Sequence, residues 1–171
     1  MHKEQVDYIE SVKSRHPKYF NGVSILDVGS QDINGNNRRF FSNSQYLGLD
    51  IGEGRNVDVT GYVHEWAETC DKEFDVVISG EMLEHDMYWE QSILSMYKLV
   101  KSGGLLLITC ASVGRPEHGT KASSSVDSPF TNEYYRNISR EDMEYAIRDL
   151  KFSEQEIVIG GTDLYFFGLK P

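Results

Sequence analysis

Two glutamates and a histidine at helical spacing form the first cluster in the sequence with the residue types that catalysis needs. Glu81, Glu84 and His85 follow an apolar run, and positions i, i+3 and i+4 share one face of a helical turn. Such a set can bind a divalent cation such as Mg²⁺ or Mn²⁺, which lowers the pKa of a coordinated hydroxyl. Without a cation, His85 is a general base or a hydrogen-bonded structural histidine. The sequence leaves these alternatives open.

A second histidine lies in a long polar segment nearer the C-terminus. Segment 111–138 is rich in Gly, Ser and Thr, and it exceeds the ~12–15 residues beyond which a structureless loop is unusual in a compact domain. We predict a loop insertion on the substrate side, in which His118 is a fourth metal ligand or the base that removes a proton from the substrate. Tyr134, Tyr135 and Arg136 suit a polar or aromatic substrate. A flexible surface loop is the other interpretation.

Acidic residues and a glycine also follow two β-rich runs near the N-terminus. Asp27 and Gly29 end the first run, and Asp50 ends the second, where an acidic residue can accept hydrogen bonds from both hydroxyls of a ribose. The GxGxxG motif that binds a pyrophosphate is absent. Its glycines are interrupted by Ser30, Asp32 and Asn34. The pattern therefore favours a nucleoside ligand without phosphate over a nicotinamide dinucleotide.

Helices and strands must alternate to position these residues. Apolar periodicity predicts a helix before Pro17 and another that opens at Ser139 and runs to Leu150. A third helix, with Asp86 as its N-cap and Leu94 on its buried side, separates the last two of five predicted strands. The strands are expected at 23–28, 46–50, 56–59, 74–78 and 105–109, with a brief helix at 35–41. Runs at 153–159 and 162–169 predict a terminal hairpin.

The predicted order of elements indicates the fold class. Continuous apolar strands are typical of a parallel sheet that is buried on both faces. We therefore expect an α/β fold, namely a three-layer α/β/α sandwich whose mostly parallel, Rossmann-like sheet ends in an antiparallel β-hairpin. Ligands in such sheets bind at the carboxyl ends of the strands. The candidate residues all follow strands at that end.

Composition and charge narrow the class of protein. The 171 residues, 39% of them hydrophobic, predict one domain over residues 1–171. No apolar run approaches the ~18 residues needed to cross a bilayer, so we expect a cytoplasmic protein without membrane contact. The net charge of −10 disfavours non-specific nucleic-acid binding. Residues 50–98 alone carry a net charge of −9, which indicates a solvated acidic face or a site for a cationic ligand.

Four segments in order resemble the class I S-adenosylmethionine-dependent methyltransferases, in particular the compact, type-11-like methyltransferase domain. These segments are Ile25-Leu-Asp-Val-Gly29, Tyr46-Leu-Gly-Leu-Asp50, Phe74-Asp-Val-Val-Ile-Ser-Gly-Glu81 and Leu99-Val-Lys-Ser-Gly-Gly-Leu-Leu-Leu-Ile108. The terminal hairpin falls where the family has its antiparallel seventh strand. The resemblance implies a Rossmann-like fold, methyl transfer, and S-adenosylmethionine as the cofactor.

Carried over residue by residue, the resemblance implies a cofactor site. Asp27 and Gly29 would lie under the methionine part, Asp50 would hold the ribose, and Asp32 or Asn34 would replace a backbone contact in the altered first turn. The expected cofactor-binding residues are Asp27, Gly29, Ser30, Asp32, Asp50, Ile51, Tyr62, Ser79, Gly80 and Glu81. The family's acidic contact to adenine aligns near Tyr62. Here Tyr62, His64 or Trp66 would stack on the ring, with core packing as the alternative for Trp66.

These inferences predict an S-adenosylmethionine-dependent methyltransferase that methylates an oxygen of a small or exposed polar acceptor, such as a sugar, phenol or nucleotide. His85 and His118 are the expected catalytic residues. The expected metal ligands are Glu81, Glu84, His85 and His118. We expect a small-molecule or glycan acceptor. Where this chain does not form the whole acceptor site, a partner protein or a second copy would complete it. The alternatives are a non-catalytic cofactor-binding subunit and an RNA 2′-O-methyltransferase, whose Glu-x-x-Glu-His pattern is similar.

Overall fold

Seven strands form a single sheet in the computed structural model, which describes residues 2–171. Their order across the sheet is β3-β2-β1-β4-β5-β7-β6. The strands are β1 Ser24–Val28, β2 Gln45–Asp50, β3 Val59–Thr60, β4 Phe74–Gly80, β5 Val100–Ala111, β6 Glu154–Gly160 and β7 Asp163–Leu169. Strands β1 to β5 pair in parallel, whereas β7 pairs antiparallel with both β5 and β6. The expected mostly parallel sheet with a terminal antiparallel hairpin is confirmed.

Alternate residues of the central strands pack on opposite faces of the sheet. The helices are α1 Lys3–Arg15, α2 Val63–Thr69, α3 Trp89–Leu99 and α4 Arg140–Ile147. Ile25 of β1 and Val76 of β4 belong to a core cluster with Ile9 of α1. Their neighbours Leu26 and Val77 belong to a second cluster shared with α2, α3 and α4. The period of two residues in a strand therefore produces the three expected layers.

Several predicted details of the helices need correction. The N-cap of α3 is Tyr88, not Asp86, whose carboxylate instead accepts a hydrogen bond from Tyr88 N at 2.8 Å. Leu94 is 47% exposed rather than buried, because Ile93 occupies the core-facing position. The capping box at Ser139 is present, but α4 ends at Ile147, three residues before the predicted end. Helix α2 was not predicted.

The segment after β5 is a long connection over the carboxyl ends of the parallel strands. Within residues 112–138, Ser125–Asp127 is the one helical turn, and Ile138 N donates to Ala111 O at 3.0 Å to close the connection at its base. Phe130, Asn132 and Glu133 have positive φ angles, which are uncommon for residues other than glycine. Among the helices of residues 2–171, none has the length and apolarity to cross a membrane.

Candidate functional site

A cleft with two adjoining compartments lies at the carboxyl ends of β1, β2 and β4. The Asp50 compartment is lined by residues that follow these strands, among them Gly29, Asp50 and Ile51. The His118 compartment has a volume of about 400 Å³ and includes His118, Glu81 and the start of α1. That volume lies within the range of roughly 300–1,000 Å³ found for small-molecule pockets. The two compartments share Gly29, Gln31, Ile33, Glu81, His85 and Asp127.

Backbone groups hold the Asp50 carboxylate at the wall of its compartment. Gln31 N donates to its Oδ2 atom at 2.9 Å, and Gly52 N donates to its Oδ1 atom at 3.3 Å. Burial raises the pKa of Asp50 above its usual value. The turn before it requires glycine at position 29, because φ there is +78° and a Cβ atom would lie 2.5 Å from the Met82 side chain.

Aromatic residues mark the outer end of the Asp50 compartment. Tyr62 lines it, and the Tyr62 ring meets the Tyr88 ring edge-on with centroids 5.5 Å apart. His64 touches both rings but does not line either compartment. Trp66 packs against the hydrophobic core, 6.4 Å from the ring of Phe74. Of the three aromatic residues proposed to stack on a ligand ring, Tyr62 alone lines the cleft.

A short stretch of the long connection covers the same compartment. Ser128, Pro129, Thr131 and Asn132 line it, and the ring of Phe130 lies directly against Gly52. Because this stretch follows β5 in sequence but sits over the end of β2, it spans the width of the cleft. Part of segment 111–138 therefore forms a wall of the site.

Three of the predicted cofactor-binding residues, Asp27, Asp32 and Ser79, have side chains that are already hydrogen-bonded to neighbouring protein groups. The carboxylate of Asp32 binds Arg55 and Gly35 N, and it does not line either compartment. The hydroxyl of Ser79 donates to Val28 O at 2.8 Å. Asp27 reaches the His118 compartment, but its Oδ1 atom already accepts a hydrogen bond from Asn37 Nδ2 at 2.9 Å and its Oδ2 atom one from the Tyr46 hydroxyl. Ser30 and Gly80 do line that compartment.

Glu84, His85 and His118 lie together, with the two histidines lining the His118 compartment and Glu84 fully buried beside them. One potential ligand atom from each residue lies within 4.8 Å of the others. Glu84 Oε1 accepts a hydrogen bond from Ala111 N at 3.2 Å and lies 3.9 Å from His118 Nε2. The rings of His85 and His118 are nearly perpendicular, with centroids 4.9 Å apart, and Tyr135 packs against both. The 3₁₀ turn Leu83–His85 replaces the helical turn expected from the spacing.

Glu81 lies apart from that three-residue cluster. It has a positive φ of 55° directly after β4, and its backbone N–H donates to Thr109 O. Its carboxylate lies 3.9 Å from His2 Nε2 and 4.0 Å from Arg115 Nη2, while neither oxygen has a hydrogen-bond partner. The structure therefore brings together three of the four predicted metal ligands, and Glu81 lies outside that cluster.

Burial disfavours the charged forms of Glu84 and His85 when no cation is bound. It raises the pKa of Glu84 well above the usual range, and the neighbouring Glu81 charge raises it further. Burial raises the pKa of Glu81 to about 7, with Asp163 contributing in the same direction. It lowers the pKa of His85 to about 4, and the adjacent His118 adds to this effect. A carboxylic acid and a neutral imidazole are thus the favoured states at neutral pH.

Residues of α1 and of the loop that follows β1 also line the His118 compartment. The sequence patterns did not predict them. His2 and Gln5 reach it from the start of α1, and Asn37 reaches it from the 3₁₀ helix Asn37–Phe40. Gln5 shares the buried face of α1 with Ile9 and Val12. A polar residue on an otherwise apolar helix face was the available signal. No motif in the sequence marked Asn37.

Comparison with known proteins relates this cleft to one family. Residues 26–108 match a family model described as "Methyltransferase domain". This segment runs from β1 into β5 and contains the strand ends that form most of the cleft. A search of curated protein sequences found no significant match.

Solved structures share the fold at low sequence identity. A S-adenosylmethionine-dependent methyltransferase from Archaeoglobus fulgidus is 16% identical over 96% of this chain and 94% of its own, with a TM-score of 0.64. The 1,6-didemethyltoxoflavin-N1-methyltransferase of Burkholderia thailandensis, solved with S-adenosylhomocysteine, is 15% identical over 97% and 78%, with a TM-score of 0.64.

The CurJ carbon methyltransferase is 13% identical over 94% of this chain, with a TM-score of 0.64, and this chain spans only 51% of its length. At these identities the likeness concerns the fold. The segment that matches the family model, residues 26–108, and the shared fold together support an S-adenosylmethionine-dependent methyltransferase domain in this chain.

Proposed function

We propose that this methyltransferase transfers the methyl group of S-adenosylmethionine to a hydroxyl oxygen of a small polar acceptor. The observation that carries the proposal is the cluster of Glu84, His85 and His118 beside the compartment that adjoins the cofactor site. Methyl transfer needs in-line positioning of the acceptor, and a hydroxyl also needs help in losing its proton. Carbon and nitrogen acceptors appear in the names of structural neighbours, so the fold alone does not select oxygen.

In the proposed cofactor site, Asp50 binds the ribose, Tyr62 and Ile51 contact the adenine, and Gly29, Ser30 and Gly80 lie along the methionine end. S-adenosylmethionine, when bound, supplies a methyl group activated by its sulfonium. The shared wall of the two compartments contains Glu81 and Asp127, whose carboxyl groups favour a cationic centre nearby. The acceptor would then occupy the His118 compartment.

The donor set of the cluster fits a divalent cation. One carboxylate and two imidazoles are common ligands of Mn²⁺ and related ions. Glu84 Oε2 and His85 Nδ1 are buried without hydrogen-bond partners, which is costly unless a ligand satisfies them. A cation held by Glu84, His85 and His118 would lower the pKa of the acceptor hydroxyl. Glu81 is proposed as a nearby charge and not as a direct ligand in this arrangement.

A metal-free version of the same function assigns proton removal to a histidine. His85 lines both compartments, its pKa is lowered, and its buried Nδ1 atom has no hydrogen-bond partner. His118 Nδ1 lies 3.2 Å from Pro116 O, which fixes its ring and leaves Nε2 directed towards Glu84. Either imidazole could accept the proton of an acceptor held in this compartment. Metal binding distinguishes the two versions.

The proposed acceptor is a small molecule or glycan. The −10 net charge argues against RNA, although the Glu-x-x-Glu-His pattern keeps RNA 2′-O-methylation as the alternative. A second alternative is a subunit that binds the cofactor without catalysing transfer. That subunit would serve beside an active enzyme, whereas in the leading proposal a protein partner or a second copy would complete the acceptor site where segment 111–138 does not. We also propose a cytoplasmic location.

Labelled methyl transfer tests the proposal. The protein is incubated with S-adenosylmethionine that carries a labelled methyl group and with separate pools of metabolites, glycans and RNA. The proposal predicts label in a base-stable methyl ether in the metabolite or glycan pool. Label in an N-methyl or C-methyl product, or in RNA, would contradict it. Cofactor binding without transfer to any pool would favour the non-catalytic subunit.

Calorimetric titration with MnCl₂ tests the metal version independently of turnover. We expect wild-type protein to bind one Mn²⁺ and the His118→Ala variant to lose that binding. His16→Ala is the matched control, because His16 packs against Phe167 far from the cleft. Equal Mn²⁺ binding by wild type and His118→Ala would reject the metal version and leave the histidine base.

A further inference from the structure

The side chain of Tyr135 lies behind His85 and His118 and does not face the cleft. Tyr134, Tyr135 and Arg136 were expected to contact a substrate, but none of these three residues lines either compartment. The ring of Tyr135 instead packs edge-on against the imidazole of His85, with centroids 5.4 Å apart, and against that of His118, with centroids 4.9 Å apart. Tyr135 therefore contacts the candidate catalytic histidines and not the space that a substrate would fill.

Hydrogen bonds connect Tyr135 to the backbone that precedes His118. The hydroxyl of Tyr135 donates to Asn137 Oδ1 at 2.8 Å and lies 3.3 Å from Pro116 O. Asn137 Nδ2 donates to Arg115 O at 2.9 Å. The carbonyl groups of two consecutive residues before His118 are thus held by side chains from the end of the long connection.

The Pro116 carbonyl in turn determines which nitrogen of His118 carries a proton. His118 Nδ1 lies 3.2 Å from Pro116 O. Because a carbonyl oxygen can only accept a hydrogen bond, this contact requires the proton on Nδ1. His118 Nε2 then keeps its lone pair, and it lies 3.9 Å from Glu84 Oε1, too far for a direct hydrogen bond. Nε2 is therefore left to bind a cation or to accept a proton.

The same stretch of the long connection also contacts the rest of the cluster. Arg136 N donates to Glu84 O at 2.8 Å. The turn after His118 passes close to His85, because residue 119 is a glycine with a φ of +70°, and a Cβ atom there would lie 2.7 Å from His85 Cε1. All three members of the cluster are thus supported by residues that sequence spacing did not relate to them.

We propose that Tyr135 and Asn137 are positioning residues that hold His118 with its proton on Nδ1 and its Nε2 atom directed towards Glu84. Tyr135 restricts rotation of the imidazole by packing against it, and Asn137 helps to fix the backbone whose Pro116 carbonyl selects the tautomer. Groups behind a functional histidine commonly fix its tautomer and ring orientation in this way. The inference rests on the proposed function, in which Nε2 binds the cation or accepts the proton of the substrate hydroxyl.

Histidine nitrogen chemical shifts test the positioning without metal, cofactor or substrate. Proton–nitrogen correlation spectra of isotope-labelled protein, recorded in alkaline solution where imidazoles are neutral, distinguish the two tautomers. The His118→Ala variant identifies the signals of His118. We expect wild-type His118 to carry its proton on Nδ1, and Tyr135→Ala and Asn137→Ala to shift the population towards the Nε2–H tautomer. Tyr135→Phe keeps the ring and should stay closer to wild type.

Calorimetric titration with MnCl₂ measures the consequence for a bound cation. Tyr135→Ala and Asn137→Ala should weaken Mn²⁺ binding roughly 10- to 100-fold, as is typical when a group that orients a ligating histidine is lost. Tyr135→Phe should weaken it less.

Tyr97→Ala is the matched control. Tyr97 also donates to a backbone carbonyl, Lys151 O at 2.9 Å, and packs edge-on against Phe152, but it does not line the cleft. Its loss should lower the free energy of unfolding without changing the His118 tautomer or the affinity for Mn²⁺.

The outcomes separate this proposal from the proposed function. The proposal is overturned if wild-type His118 carries its proton on Nε2, or if a cooperatively folded Tyr135→Ala variant keeps the wild-type tautomer. Equal losses of Mn²⁺ affinity in Tyr135→Ala and Tyr97→Ala would also overturn it, because Tyr135 would then act through general packing. If Tyr135→Ala does not unfold cooperatively, Asn137→Ala decides in its place. Wild-type protein that binds no Mn²⁺ would reject only the metal version of the proposed function, and the tautomer measurement alone would then decide.

Discussion

The two compartments of the cleft differ in how completely their polar groups are satisfied without a ligand. In the Asp50 compartment, backbone N–H groups of Gln31 and Gly52 already orient the Asp50 carboxylate. Among the residues that line only the His118 compartment, Gln5 Oε1, Ser30 Oγ and Asn37 Oδ1 are buried without partners. Because such atoms cost free energy, the first wall is preorganised, whereas the second is stabilised by whatever binds or protonates it.

The largest expected effect tests whether the His118 compartment is the chemical half of the cleft. The double variant His85→Ala, His118→Ala should lower the rate of methyl transfer by about 10²–10⁴-fold, as expected for loss of acid–base assistance. Binding of S-adenosylhomocysteine should stay within threefold of wild type, since neither histidine is among the proposed cofactor-binding residues. Rates are measured with labelled S-adenosylmethionine, and binding by calorimetry.

His16→Ala serves as the matched control, because it removes an imidazole that packs on Phe167 outside the cleft. Full activity of the double variant would break the division into a binding half and a chemical half. Equal losses of rate and of affinity would show that the two histidines mainly maintain the shape of the shared wall.

The second-largest expected effect tests the preorganised Asp50 compartment. Asp50→Ala should weaken S-adenosylhomocysteine binding by roughly 2–4 kcal/mol, the contribution of two partly charge-assisted hydrogen bonds to the ribose. The backbone donors Gln31 N and Gly52 N also lose their acceptor, so the turn should become more mobile. Calorimetry on the folded variant measures the change.

Asp58→Ala is the control for that measurement. Asp58 also accepts a backbone hydrogen bond beside β2, from Gly48 N at 2.8 Å, but it does not line the cleft. Its loss should reduce stability and leave affinity unchanged. An Asp50→Ala variant with wild-type affinity would exclude Asp50 from ribose binding.

The third effect concerns stability and pH in the His118 compartment. Folding raises the pKa of Glu81 from 4.5 to about 7 through burial. Between these values the folded protein keeps the proton that the unfolded chain releases, so this group makes the free energy of unfolding fall as pH rises from about 4.5 to 7. The loss amounts to about 3 kcal/mol.

His85 has the opposite dependence, because its pKa falls from 6.5 to about 4 on folding, so its contribution increases with pH between those values. The Glu81→Gln variant isolates the glutamate. Relative to wild type, the variant should gain about 3 kcal/mol between pH 5 and pH 8. Denaturant unfolding measures this difference, with Glu73→Gln at an exposed position as the control. A pH-independent difference would mean that Glu81 is paired in the folded protein.

The sequence predicted the Asp50 side of the cleft better than the His118 side for a physical reason. Gly29 and Asp50 follow buried apolar strands, and parallel strands place their carboxyl ends at one edge. Local pattern therefore determines their position. Gln5, Asn37 and Arg115 reach the other compartment from α1, the first turn and the long connection, and only tertiary packing brings these elements together. The predicted cluster of Glu84, His85 and His118 formed because two members share one turn.

Individual predictions also differed where packing outweighed local pattern. Asp32 was expected to contact the cofactor, but the adjacent Arg55 and Gly35 N bind its carboxylate and turn it away from both compartments. Glu81 was expected beside Glu84, yet its left-handed backbone directs its side chain towards His2 and Arg115. Residue spacing does not report such a change of backbone conformation.

The smallest expected effect tests where the Asp50 compartment ends by comparing two aromatic residues of α2 and its N-cap, Tyr62 and Trp66. Tyr62 lines the compartment with its ring edge-on to Tyr88 at 5.5 Å, whereas the partly buried Trp66 packs against the core, with its ring 6.4 Å from that of Phe74. Tyr62→Ala should weaken 5′-methylthioadenosine binding by about 1 kcal/mol, the usual contribution of an aromatic contact. Trp66→Ala should lower the free energy of unfolding by about 3 kcal/mol or more without changing that affinity. Calorimetry and denaturant unfolding on both variants give the four values required. The reverse pattern, with affinity lost only in Trp66→Ala, would move the adenine to the other side of α2 and contradict the placement of Tyr62 at the ring.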